Sequence, residues 1–297
     1  MPSPEPTSNE IIEARLKECI LRLEEVTDGN VLTYIGPIAI GLHNLIRAEL
    51  EDVKPKRRKL TVILETPGGF IEVVEQIAGV FRQLYRRVEF VVPSEAMSAG
   101  TVLVMSGDAI WMDYASVLGP IDPQIQRPGP SSPFVPALGY LEQYERLIRK
   151  DADGELTSAE LAFLLRKFDP AELYLFEQAR DLSVALLKEW LVKYKFKNWT
   201  RTKTRRKKVT RAMKVERAEK IAMQLNDTAE WHSHSRGIGM NVLRRKLKLE
   251  IDDFEKDARL SSALRTYYAL LQDYILRRGH DMWVTQTNAR YHGHGHA

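Results

Sequence analysis

An α/β fold with a parallel sheet at its core is what the sequence predicts, and three observations carry that expectation. Residues 60–64 and 88–92 are strongly apolar runs, the pattern of strands buried on both faces. The first ends at Pro67-Gly68-Gly69 and the second at Pro93, and a segment with apolar residues at helical spacing follows each turn. Strand, turn and helix alternate, so right-handed crossovers would place the C-terminal ends of the strands on one edge of the sheet.

Taken in order, residues 1–8 are rich in Pro and Ser and read as a disordered lead-in. Over 9–26 the residues Ile11, Ile12, Leu16, Ile20, Leu21 and Leu23 recur at helical spacing, with Arg and Glu between them, as in an amphipathic helix. Residues 31–35 are β-branched and aromatic enough for a strand; Gly36-Pro37 ends it, and 38–50 return to a helical period. A helix over 71–85 follows the first buried strand, and a helix of small residues running to Met105 follows the second. Residues 109–112 and 116–118 read as short strands, and 127–136, rich in Pro, Gly and Ser, as a loop. Helical periods then occupy 138–149, 158–168 with Thr157 or Ser158 as its cap, and 170–194. A basic run leads into a helix ending near Leu225. After the polar stretch 226–239 come helical patterns over 242–249 and 253–278, and 291–297 close the chain as a short tail.

The chain therefore divides into the lead-in 1–8, an α/β core over 9–126, a helical insertion over 127–225 that contains the basic run 193–220, a return to the core over 226–251, and a C-terminal helix and tail over 252–297. Its 297 residues are enough to bury a substantial core, and 44% hydrophobic with 28% charged residues is a soluble globular composition. The single cysteine, Cys19, cannot form an internal disulfide, and no Cys/His spacing resembles a zinc site, so no disulfide scaffold, metal or cofactor is expected. The Gly-His alternation at His292, His294 and His296 is at most a weak metal ligand set; a floppy tail is the simpler reading. No basic leader precedes an apolar segment, and no stretch of about 18 uncharged apolar residues occurs. The expectation is a cytoplasmic protein with no membrane span.

The chemistry concentrates at Ser98, set among small residues where the second buried strand gives way to a helix. A serine hydroxyl is a weak nucleophile and needs a base and hydrogen-bond donors for the oxyanion it generates. Gly68-Gly69 has two readings, a tight turn or a backbone whose N–H groups face a bound carbonyl that any side chain would crowd. No Gly-Lys-Ser/Thr follows, which excludes a phosphate loop. In the basic run, Lys and Arg are interleaved with Tyr194, Phe196 and Trp199, a mixture suited to phosphate contact and base stacking. Only Glu216 and Glu219 offset it, so nucleic acid is a partner to weigh through 193–220; the alternative is a solvated linker or one that binds an acidic protein surface.

Three blocks, Glu65-Thr66-Pro67-Gly68-Gly69, Ala96-Met97-Ser98-Ala99-Gly100-Thr101 and Leu118-Gly119-Pro120-Ile121-Asp122-Pro123-Gln124, stand in an order and spacing that resemble the serine dehydrogenase proteinase family. That family is grouped with signal peptide peptidase A and, more distantly, with the Clp protease subunit. The resemblance covers about residues 30–126 well, and 226–251 less closely. It implies a Clp protease/crotonase-like layered fold with a long helical insertion, a serine endopeptidase acting on a peptide or protein, and assembly as a homo-oligomer. It also implies Ser98 as nucleophile and the amides of Gly69 and Ala99, with Gly68, as oxyanion hole.

The base is harder to assign. Clp proteases carry a histidine roughly twenty residues beyond the serine, but Val117-Leu118-Gly119-Pro120 occupies that region here, and a Clp-type triad is excluded. Signal peptide peptidases use a desolvated lysine instead, yet no lysine occurs from Arg127 until Lys150. Trp231-His232-Ser233-His234-Ser235-Arg236-Gly237-Ile238 resembles a late histidine segment of the family, which places His234 on the family histidine and His232 near where the Clp proteases carry their triad aspartate. The resulting expectation is Ser98 as nucleophile, His234 as general base and Asp122 orienting the imidazole, with His232 or Lys150 as alternative bases. Two other classes stay open: a catalytically silent scaffold that binds nucleic acid or protein through the basic insertion, and an acyl-CoA enzyme in which Ser98 is incidental.

Overall fold

A computed structural model describes residues 5–121, 124–126, 134–202, 204–231 and 236–295. The strands are β1 (Asn30–Ile35), β2 (Lys59–Glu65), β3 (Arg87–Val91), β4 (Glu95–Ala96), β5 (Ala109–Met112), β6 (Val117–Leu118), β7 (Gln124–Gln126), β8 (Phe134–Pro136), β9 (Ile238–Gly239), β10 (Asp252–Asp253), β11 (Trp283–Gln286) and β12 (Tyr291–His294). The helices are α1 (Ser8–Thr27), α2 (Leu42–Asp52), α3 (Ile71–Leu84), α4 (Ala99–Met105), α5 (Ala137–Ala152), α6 (Ser158–Lys167), α7 (Pro170–Trp190), α8 (Arg211–Leu225), α9 (Thr228–Trp231), α10 (Met240–Arg245) and α11 (Ala258–Arg278).

The main sheet has the order β10-β5-β3-β2-β1-β11-β12, parallel from β10 to β1 and antiparallel beyond. Side chains alternate across it as the strand period of two requires. Leu32, Tyr34, Val62, Leu64, Val88 and Phe90 face a core shared with α2, α3, α4, α7 and α8, while Val31, Ile63 and Val91 face a second core closed by α1 and α11. The first and last helices of the chain thus cover one face together. Tyr267 of α11, fully buried, fixes that layer to the sheet: its hydroxyl lies 2.8 Å from Thr33 Oγ1 on β1 and 2.9 Å from Gln286 Oε1 on β11.

The α/β class, the parallel strands and the helical character of 137–225 agree with the sequence reading. Thr157 caps α6 through a full capping box with Glu160. Four expectations need correction. The tail is not floppy: β11 and β12 form a hairpin that extends the main sheet through pairing of β11 with β1. His292 Nδ1 lies 2.7 Å from Glu49, and His294 packs against Trp283; no group of three metal-ligating side chains occurs among the described residues, and His296 lies outside them. The stretch 127–136 is not loop throughout, because β8 pairs with β7. The helix expected over 38–50 begins only at Leu42, because the backbone of Ile38 is taken up elsewhere, as described below. The helix expected over 242–249 is α10, which stops at Arg245, and Lys248 has a left-handed φ of 52°. No described helix is long and apolar enough to cross a membrane.

Candidate active site

Three turns meet at the C-terminal edge of the parallel sheet. The first carries Thr66 to Gly69, after β2. Gly68 has φ 104° and Gly69 φ 148°, backbone that side chains rarely permit, and a Cβ on Gly69 would sit 2.1 Å from Ile38 O. Ile38 clasps this turn: its N–H donates to Gly68 O at 2.8 Å and its carbonyl accepts from Phe70 N at 2.9 Å. That double bond to an extended neighbour explains why α2 cannot start at residue 38.

The second turn carries Ser98. Thr66 N donates to Glu95 O at 3.0 Å and Met97 N to Thr66 O at 2.9 Å, so the chain stays extended up to Met97. Ser98 then takes φ 51° and ψ −118° and α4 begins at once. A serine held in this region is strained by roughly 1–3 kcal/mol, and such strain accumulates where a fold must aim a functional group. Ser98 is buried, with 1% of its surface exposed. The third turn, Gly119 to Ile121, is bound to the second by Thr101, whose Oγ1 lies 2.8 Å from Ala96 O and 2.9 Å from both Gly119 O and Gly119 N.

The amides around Ser98 differ in what they do. Gly68 N donates to Thr66 Oγ1 at 3.1 Å. Gly69 N and Ala99 N take no backbone acceptor among the described residues, while the neighbouring Phe70, Gly100 and Thr101 amides all do. Among the described residues, the turns on either side of the serine each carry one amide with no backbone acceptor.

Of the residues expected to act as base or to orient it, Asp122, His232 and His234 lie outside the described residues. Their flanks are placed. Ile121 N donates to Leu225 O at 3.0 Å, Trp231 is buried with its indole N–H on Gln224 O at 2.7 Å, and Ile238 pairs with Leu118 in the β6–β9 ladder. Trp231 is thus tied to the end of α8, whose Leu225 carbonyl holds the third turn, and Ile238 to β6. Lys150 is not brought to Ser98 by any contact: it sits on α5, and its ammonium makes a 2.6 Å ion pair with Glu160 of α6. Sequence reasoning also passed over Glu65, the last residue of β2. Its carboxylate accepts from Tyr268, and from Gln272 Nε2 at 3.2 Å, both on α11, and burial pushes it above the usual carboxylate range. The signal was a charged residue ending an otherwise apolar strand.

Several known proteins resemble this one. A family model described as ClpP-like SDH-type serine proteinase matches residues 3–230. Two uncharacterized proteins of Methanocaldococcus jannaschii are 41% identical over 78 residues and 30% identical over 127 residues. These stretches are 26% and 43% of this chain and span only 27% and 40% of those relatives. Two mutant forms of the membrane-bound stomatin-specific protease 1510-N, one in complex with a substrate peptide, superpose with a TM-score of 0.45. Their identities are 12% and 14%, over 89% of this chain and 91% and 86% of theirs. The family match spans more than three quarters of the sequence, and the chain belongs to the ClpP-like SDH-type serine proteinase family.

Proposed function

We propose that the protein is a serine peptidase that hydrolyses peptide bonds in a peptide or protein through Ser98. The observation that carries this reading is a strained serine at a strand-to-helix turn packed against the Gly68 turn, with two amides, Gly69 N and Ala99 N, that take no backbone acceptor among the described residues. The Ser98 hydroxyl attacks the scissile carbonyl, and the two amides receive the charge that develops on its oxygen. Donors fixed before the reaction stabilise that oxyanion without reorganising, an effect worth about 3–4 kcal/mol per donor in such sites. Gly68 serves differently: its amide is held by Thr66, and its missing side chain leaves the space against Ser98.

His234 is the base in this proposal and Asp122 orients it. The flanks of its block support the histidine: Trp231 is held on Gln224 O of α8, and Ile238 on Leu118 of β6, the strand that leads into the Gly119 turn. Lys150 fits the role poorly, because its ammonium is engaged by Glu160 of α6. A homo-oligomer is part of the same reading, drawn from the family.

A fluorophosphonate probe tests the nucleophile. Wild type is labelled and Ser98→Ala is not; absence of labelling in the wild type, or labelling that survives the substitution, overturns the proposal. Peptide hydrolysis by His234→Ala tests the base, and an unchanged rate removes that residue from the mechanism.

A further inference from the structure

A second concave site lies at the open edge of the main sheet, beside β10, where the insertion meets the returning chain. Its cavity is about 820 Å³ and is lined by residues 195–202 in part, by Arg217 of α8, and by Arg244 and 248–252. Five cationic side chains, Lys195, Arg201, Arg217, Arg244 and Lys248, stand around it against two carboxylates, Glu250 and Asp252. No carboxylate oxygen comes within 4 Å of any of the five cations among the described residues. Arg217 is instead anchored on Leu247 O, and Arg244 on Ile251 O through Nε at 2.9 Å and Nη2 at 2.7 Å. Each guanidinium is thereby fixed in direction while it keeps N–H groups to spare. Burial pushes the Lys195 ammonium and the Arg217 guanidinium down, and at Lys195 attraction to Asp252, Glu250, Glu89 and Asp108 opposes it. Lys195 and Arg217, half-buried and without a direct ion pair among the described residues, are a cost to the fold that an anion would reduce, while Arg201 and Lys248 are exposed.

Part of the basic run is disposed otherwise, while Arg205, Arg206, Lys207, Lys208 and Arg211 are exposed. Lys188, Lys193 and Lys220 are paired with Glu219, Glu189 and Glu216. One face of the Tyr194 ring is covered by the Arg82 guanidinium at 3.6 Å, and Phe196 is buried. Part of the run thus supplies a discrete pocket. The pocket is far larger than a phosphate ion, falls in the size range of small-molecule sites, and has Trp199 in its wall. We propose that this cavity binds a nucleoside phosphate, its phosphates held by Arg201, Arg217, Arg244 and Lys248 and its base set against Trp199. Arg is the residue suited to planar, bidentate contact with phosphate.

The test is calorimetric titration of the full chain with ATP, adenosine and an oligothymidylate at physiological ionic strength. ATP binds saturably at one site per chain, and adenosine binds at least about tenfold more weakly. Lys248→Glu and Arg201→Glu each weaken ATP by about tenfold, whereas Lys220→Glu, an equal charge change outside the cavity, leaves it unchanged. Absence of saturable ATP binding overturns the proposal. So does an equal loss in Lys220→Glu, which would mean unspecific attraction, and so does an oligothymidylate that binds more tightly than ATP, which would make the surface a strand-binding one. Should the variants not fold, photo-crosslinking of wild type with 8-azido-ATP decides: attachment within 195–202 or 244–252 supports the site, and attachment confined to other segments overturns it.

Discussion

Gly68 packs so closely on Ser98 that a methyl group on it would lie 2.9 Å from the serine Cβ and 2.9 Å from Met97 O. Its φ of 104° adds backbone strain to that contact. Gly68→Ala is therefore expected to destabilise the fold by about 1–3 kcal/mol and to displace the serine, with loss of fluorophosphonate labelling. Gly79→Ala, on α3 where an added Cβ meets nothing within 4 Å, leaves labelling intact and gains up to about 1 kcal/mol. Urea melts and labelling of the two variants check this, and a Gly68→Ala enzyme labelled like wild type would contradict it.

Thr101 joins the nucleophile turn to the Gly119 turn with its hydroxyl, fully buried. Thr101→Val keeps the shape and removes the polar atom, so Gly119 N and its carbonyl lose that partner in a dry site. A loss of about 1–3 kcal/mol is expected in urea unfolding, and Thr101→Ser recovers most of it. Equal stability of Val and Ser variants would show that the hydroxyl does not hold the two turns together.

How much of this was legible in the sequence depended on how local each signal was. The runs at 60–64 and 88–92 are buried on both faces and read as strands without help, and Thr157 with Glu160 spells a helix start in four residues. The convergence of Gly68 with Ser98 followed from parallel topology alone, because right-handed crossovers leave both turns on one edge. The hairpin β11–β12 was not legible: His292-Gly293-His294 has little strand propensity of its own, and its pairing is drawn in by β1, some 250 residues away in the chain. Nor was Lys195, since nothing in a Lys-rich run distinguishes the lysine that folding will bury. The place of Lys150 was equally hidden, because its partner Glu160 comes from another helix.

That pair gives a pH prediction. The Lys150 ammonium and the Thr157 cap hold Glu160 well below the usual carboxylate range, at about 2. A carboxylate whose folded pKa lies below its unfolded value adds stability above the unfolded value, and that contribution disappears as pH falls through the folded one. The window runs from the ordinary value of 4.5 down to about 2. A carboxyl-detected NMR titration should show Glu160 titrating near the lower end, and Lys150→Met should move it upward with peptide hydrolysis unchanged. Abolished hydrolysis in Lys150→Met would instead return the lysine to the mechanism.

The C-terminal hairpin supplies the last prediction. Glu49 on α2 is almost wholly buried, at 1% exposure, and faces His292 Nδ1 at 2.7 Å and the Arg290 guanidinium at 3.6 Å. Burial raises its pKa, and these two partners act against that rise. A carboxyl raised in this way contributes most to stability below its unfolded pKa, and the contribution fades as pH climbs through the folded value. His292→Ala removes one partner, so the Glu49 pKa rises further and more stability is lost on going from acid to neutral pH, about 1–3 kcal/mol at neutrality. Glu49→Gln in that background abolishes the need for a counter-charge and should recover part of the loss, a coupling that a double-mutant cycle of thermal melts measures. Strictly additive effects of the two substitutions would mean that the hairpin is held by its strand pairing to β1 and not by this buried carboxylate.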